Sequence, residues 1–257
     1  MAEPKKELFD FAYFPKFEES INHLANRLAS SEKWDFDSHT NNSILKNYLE
    51  YTFRKLKEED KIVYTLDNKF ASFNTGLVTS QLEEIFALFE RNKGAGCSPY
   101  FFKAFCKESD RQLLMYFSSN MPQRADYFTN PSALIFNPNC KIIPDYDHII
   151  SDNKDRFPDS LQATGEDNMR RQLKGAIDEA IKLVRTNYKI AVPQYFNKRI
   201  QLLLPLCLTP GSKNPDLALV IYKLDDKNYC ARTCLTLKMA YMNARLIVKP
   251  QSDWLKV

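Results

Sequence analysis

The chain has 257 residues, is 44% hydrophobic and 26% charged, and carries a formal net charge of +4. This is the composition of an ordinary globular protein, and six glycines are too few for a Gly-rich dinucleotide fold. The mild basic excess permits an anionic partner without demanding one.

The first residues, MAEPKKELFD, contain no apolar core of a secretory signal. No run approaches the roughly 18 apolar residues of a membrane span, so no membrane partner is expected. Cys97, Cys106, Cys140, Cys207, Cys230 and Cys234 sit mostly in apolar or aromatic runs. Their closest pair, Cys230 and Cys234, has no second pair at zinc spacing, which favours structural thiols over a metal centre. A reducing, cytoplasmic setting is the expectation.

Residues 1–14 read as an arm, with Phe9, Phe11, Tyr13 and Phe14 available to pin it. Phe17 to Ser30 has apolar residues at helical spacing, with His23 off the stripe. His39, in the polar loop SHTNNS, is read like His23 as a solvated histidine. Asn42 to Glu58 is the next predicted helix, capped by Asn41 or Asn42. Ile62–Thr65 and Phe70–Phe73 read as short strands, and Asn74-Thr75-Gly76 as the turn that closes them. That turn fits either an anion cradle of backbone N–H groups or a plain reversal. A helix and hairpin in this order also resemble the end of a winged helix, although any α+β fold uses them.

Thr79 or Ser80 is expected to cap a helix from Gln81 to Arg91. Gly94-Ala95-Gly96 is a turn, and Tyr100 to Cys106 a strand. Asp110 to Phe117 fits either a strand or a short helix. Ser132 to Phe136 reads as a buried strand, and Lys141 to Ile143 as a second one stopped by Pro144. Asp159 to Glu166 is a polar loop, and Asp167 to Asn187 the longest helix. Arg170, Arg171, Lys174, Lys182, Arg185 and Lys189 form its basic remainder. Ile200–Leu208, Leu217–Tyr222 and Tyr229–Thr233 are strands, the last two a hairpin. Leu235–Leu246 is the final helix.

The densest chemistry follows Pro144. A helix beginning there places Asp145, His148, Asp152, Asp155 and Arg156 in one neighbourhood, with Tyr146, Ile149, Ile150 and Asn153 beside them. Three functional readings fit. His148 acts as a general acid or base; His148 with Asp145 or Asp152 holds a hard divalent ion; or His148, Arg156 and Arg124 bind a phosphate. A structural reading fits as well: acids at the positive end of a helix beside a bonded His. No recognised metal-ligand spacing is present, and no metal is assigned. Phosphate-loop, dinucleotide, nucleophile-elbow and kinase motifs are absent too, and no cofactor is implied.

Several segments together resemble the family catalogued as DUF3825. They are FNTGL at 73–77, PQRADYF at 122–128, DHIISDNKDRFP at 147–158, LLPLCL at 203–208, LALVIY at 217–222 and LTLKMAYMNARL at 235–246, with Trp254 beyond. The resemblance spans about residues 40–257, so 1–40 is an arm and helix and 41–257 a single domain. It implies an RNA or nucleotide context, through the cold-shock and OST-HTH modules joined to relatives. It also implies a shortlist of polar residues: Asn74, Thr75, Arg124, Asp147, His148, Asn153, Arg156, Arg232, Asn243 and Arg245. Arginine, amide and one histidine suit anions better than metal hydrolysis.

The expected fold is α+β, a mostly antiparallel sheet with packed helices and a helical N-terminal lobe. The expected function is RNA or nucleotide binding through Asn74, Thr75, Arg124, Asn153, Arg156, Arg232, Asn243 and Arg245. The alternatives are phosphodiester cleavage or phosphoryl transfer using His148, or an interaction module without a small ligand. Arg245 is expected to turn inward, toward Asp145, Asp147 or Asp152 or toward the cleft of His148.

Overall fold

A computed structural model describes residues 7–36, 41–94 and 98–257. His39, Cys97, part of the Gly94–Gly96 turn and the first six residues of the arm lie outside the described residues. The chain divides into two compact units, residues 1–126 and 127–257. The division falls inside the stretch that the sequence reads as one domain. Each unit carries a five-stranded sheet.

The first unit opens with α1 (Glu7–Phe11), β1 (Ala12–Tyr13) and α2 (Phe17–His23), which runs on as a π-helical turn over Leu24–Leu28. Next come α3 (Ser43–Glu58), β2 (Val63–Tyr64), β3 (Phe70–Val78), β4 (Glu84–Arg91), β5 (Tyr100–Lys107) and α4 (Arg111–Phe117). The strand order is β1-β5-β4-β3-β2. Phe53 of α3 packs against Phe73, which stacks on Phe89. On the opposite face Phe86 and Leu88 meet Leu113 and Phe117 of α4. The arm is pinned as its aromatics suggest: Phe11 packs on Phe53, Phe89 and Tyr100.

Residues 84–91 form a strand where the sequence predicts a helix. Both faces of β4 are covered, so Ile85 to Phe89 are all buried. A strand buried on both sides loses its alternation and is then not separable from a buried helix by periodicity. Asn74 to Gly76 lie within β3 rather than after it, at an irregularity in the pairing with β4. Asn41 and Asn42 do not cap α3 with their side chains. The Asp35 carboxylate instead accepts from the N–H groups of Asn42 (2.8 Å) and Ser43 (2.7 Å).

The second unit contains a 3₁₀ turn (Pro131–Leu134), β6 (Lys141–Pro144), α5 (Tyr146–Asn153), α6 (Asp159–Gln162), α7 (Glu166–Thr186), β7 (Val192–Phe196), β8 (Arg199–Leu206), β9 (Leu217–Lys223), β10 (Asn228–Thr236) and α8 (Leu237–Arg245). The order is β6-β10-β9-β8-β7. Leu202, Leu204 and Leu206 of β8 share one core with Ile149 of α5 and Leu173, Ile177 and Ala180 of α7. Alternation along β8 sends Gln201 to the other face, where α8 packs. The expected strand at 132–136 is a 3₁₀ turn started by Pro131, and only Phe136 is buried; Ile135 is 53% exposed.

The α+β class holds. Both sheets are mixed: β1–β5 and β6–β10 are parallel, and the other six pairings among the described residues are antiparallel. No described helix is long and apolar enough to cross a membrane.

Two substitutions test the first unit. Gly76 has φ +74°, and a Cβ there would lie 2.5 Å from the Tyr48 hydroxyl. Gly76→Ala is expected to cost about 2–4 kcal/mol in urea unfolding, the sum of left-handed strain and overpacking. Glu50 is buried on α3 and accepts from the Leu8 N–H at 3.5 Å. Burial raises its pKa, against the N–H groups of Leu8 and Glu7 and the charge of Arg54. A raised folded pKa makes the ionised form costly at neutral pH. Glu50→Gln should therefore raise the melting temperature at neutral pH. The gain should shrink as pH falls through the raised pKa to the ordinary one; a gain independent of pH would exclude this cause.

Candidate functional site

The site is built where β6 hands over to α5. Because β6 runs parallel to β10, the chain leaves it at Pro144 beside Ala231. The Asp145 N–H donates to the Ala231 carbonyl at 2.9 Å. Its carboxylate caps α5, accepting from the His148 N–H at 3.2 Å. Asp147 lies in the first turn, where the helix dipole favours a negative charge.

On β10 the pairing with β9 shifts between Ala231 and Thr233: Ala231 faces Ile221, Thr233 faces Val220, and Arg232 is the extra residue. Such a bulge bends a strand and re-aims its side chains. Ala231 and Cys234, three apart, both enter the core. Arg232 turns out to the Asp145 carboxylate at 3.4 Å. Thr233 turns in, its hydroxyl donating to Asn153 Oδ1 at 3.0 Å.

Asn153 is buried and locks α5 to this bulge. Its Nδ2 donates to the Ile149 carbonyl at 2.8 Å, and its Oδ1 also accepts from Arg156 at 2.5 Å. Arg156 donates in addition to the Cys234 carbonyl. Burial pushes the Cys234 thiol up to about 12, so it stays protonated at neutral pH.

Outside the lock lies an open cavity of about 520 Å³, lined by Asp145, Tyr146, Asp147, Arg170, Tyr222 and Arg232 with Ile143, Pro144, Leu224 and Cys230. Arg170 of α7 bonds the Asp147 carboxylate and lies over the Tyr146 ring at 5.5 Å. Arg199 lies over Tyr222 at 4.3 Å. A hydrogen bond with Cys230, then burial, raises the Tyr222 phenol. Burial and Asp178 raise Tyr146. Both phenols therefore stay protonated at neutral pH, and Tyr222 already spends its one O–H on Cys230.

Of the residues singled out from sequence, Arg232 lines this cavity. His148 does not: its Nδ1 faces Asp152 at 3.3 Å on the same helix, one turn on. Asn153 and Arg156 are spent in the lock. Asn243 lies on the opposite face of the sheet, donating to Gln194 at 3.1 Å, and Gln194 donates to Gln201 at 2.8 Å. Arg245 is buried on α8. The carboxylates of the central stretch have other partners: Asp145 pairs with Arg232, Asp147 with Arg170 and Asp152 with His148.

Three candidates belong to the first unit. Asn74 and Thr75 are fully buried. Asn74 Nδ2 donates to Glu84 at 2.7 Å and Arg124 Nε bonds the same carboxylate at 2.5 Å, while the Thr75 hydroxyl donates to the Ile85 carbonyl at 2.6 Å. These contacts hold the β3 irregularity and the segment after α4, and they leave the two buried side chains turned away from solvent. Sequence reasoning did not single out Glu84, Tyr222 or Arg199. It placed Arg170 only on a general basic face. Nothing local marks them, because their partners are brought in from other elements.

The fold and site define a chain of two α+β units, the second holding a polar, arginine-edged cavity at a strand-to-helix junction. A family model described as a domain of unknown function, DUF3825, matches residues 25–254, and the chain belongs to that family. No curated protein and no solved structure matches it.

Asn153→Ala removes the acceptor of Thr233 and Arg156 together. It should destabilise the protein by about 2–4 kcal/mol, the cost of leaving buried polar groups unpaired. A shift of the urea midpoint checks this; an unchanged midpoint would mean that the lock holds nothing.

Proposed function

We propose that the cavity of the second unit binds the phosphate of a nucleotide or an RNA strand. The observation that carries this is the pair Arg170 and Arg232, from two different elements, on the edge of one open cavity beside two tyrosine rings. Each guanidinium has five donors, and one carboxylate contact leaves others for a phosphate. The ion pairs that hold them are solvent-facing, with Asp147 81% and Asp145 42% exposed. Pairs of that kind contribute about 0–1 kcal/mol and yield to a stronger anion. The Tyr146 hydroxyl adds a neutral donor, and the rings offer faces on which a base stacks. Free thiols support a reducing, cytoplasmic setting.

Fluorescence anisotropy with a labelled single-stranded RNA, competed by ATP, tests the reading. Arg170→Ala with Arg232→Ala should weaken binding roughly tenfold or more and flatten the salt dependence by about two ion equivalents. His148→Ala, outside the cavity, should leave the affinity near that of wild type. Unchanged affinity in the double arginine variant would refute this site.

A further inference from the structure

The second unit has another cavity, unrelated to the arginine edge. It lies at the far end of α7 and has a volume of about 410 Å³. Its lining is mixed: Leu183 of α7, Ile190, Pro205 of β8, Pro215 and the indole of Trp254 are apolar, and Asn187, Gln251, Ser252 and Asp253 are polar. Lys189 and Lys213 border it from two separate loops.

We propose that this cavity is a binding site for a small ligand with a flat apolar body and one negative charge, an aryl carboxylate or aryl sulfonate in chemical class. The volume is in the range of small-molecule sites, about 300–1,000 Å³. Hydrogen bonds hold three parts of the lining. The Trp254 Nε1–H donates to the Ile190 carbonyl at 2.8 Å, and Leu255 behind it is buried. Asp216 accepts from the N–H groups of Leu208 (2.6 Å) and Thr209 (2.9 Å), which ties down the start of the loop carrying Lys213. Asn187 accepts from the Lys189 N–H at 3.1 Å and sets that turn.

Charge separates this cavity from the first. Among the described residues neither the Lys189 nor the Lys213 ammonium has an ion-pair or hydrogen-bond partner. The carboxylate on the rim, Asp253, is fully solvent-exposed and engaged by Lys256 at 2.8 Å. Asp216 is occupied with backbone N–H groups. The two cations therefore have no ion pair of their own beside the apolar residues of the lining, of which Leu183 is 46% exposed. Lysine is a compact point charge, which accepts a carboxylate or sulfonate without the bidentate geometry of arginine. Burial, with Asp216 and Glu179 nearby, raises the pKa of the Cys207 thiol in the lining. A protonated thiol is a poor nucleophile.

The chain has two tryptophans, and Trp34 lies in the other unit. Two-dimensional NMR of the isotope-labelled full chain therefore gives the Trp254 indole as a local probe, assigned by Trp254→Phe. Naphthoate should shift the Trp254 indole peak saturably and leave Trp34 in place. Its uncharged counterpart, naphthalene methanol, should bind roughly tenfold more weakly, as should naphthoate to the Lys189→Gln, Lys213→Gln double variant. Arg170→Ala with Arg232→Ala should not alter the titration, which keeps this test independent of the phosphate site. A Trp254 peak unmoved by millimolar naphthoate, or equal affinity in the lysine double variant, would overturn the proposal.

Discussion

One inserted residue in β10 decides the geometry of the second unit. A regular strand would send Ala231 and Cys234 to opposite faces. The bulge at Arg232 lets both enter the core, and the two residues between them take opposite tasks. Thr233 is drawn in to Asn153, and Arg232 is turned out to Asp145. The buried amide of Asn153 makes the arrangement stable, because each of its polar atoms has a partner. An unsatisfied amide in that position would cost more than the bonds contribute. Helix α5 is thereby held at one register against the strand, and its first turn, with Asp145 and Asp147, is held beside Arg232.

The same lock explains why the ionisable residues of the central stretch part company. Helical spacing puts His148, Asp152, Asp155 and Arg156 near one another on paper. In the fold α5 ends at Asn153 and tightens into a 3₁₀ turn over Lys154–Arg156. That turn swings Arg156 back to the Cys234 carbonyl, away from His148. His148 is left with Asp152 one turn along the same helix. The cavity is formed by the other side of the junction, where Arg170 of α7 and Tyr222 of β9 arrive.

In the first unit the polar residues of the recognised segments also build the fold. Asn74 and Arg124 converge on Glu84, and Thr75 bonds the Ile85 carbonyl. A buried irregularity in a strand exposes backbone groups that the ladder no longer satisfies. Side chains that bond across it are the local remedy, and the amide of Asn74 does this by accepting the Gly76 N–H at 2.9 Å.

Much of the architecture follows from sequence alone. The stripe Leu173, Ala176, Ile177, Ala180 specifies α7, because a helix with one apolar face must bury it. The runs at 200–208 and 217–222 specify strands, and the turn at Asp225–Asn228 pairs the second with its neighbour, since these signals act between near residues. Pro144 followed by Asp145 fixes where α5 begins. Tertiary structure decided the rest. Residues 84–91 are a strand because β3 and β5 pair with it on either side while α3 and the arm cover one face and α4 the other, and no local pattern records that. The bulge at Arg232 depends on the register of β9. The cavity depends on Arg170, Tyr222 and Arg232, which lie far apart in the chain. A site whose members come from separate elements has no spacing to read, so its position emerged only when the sheet and its helices were assembled.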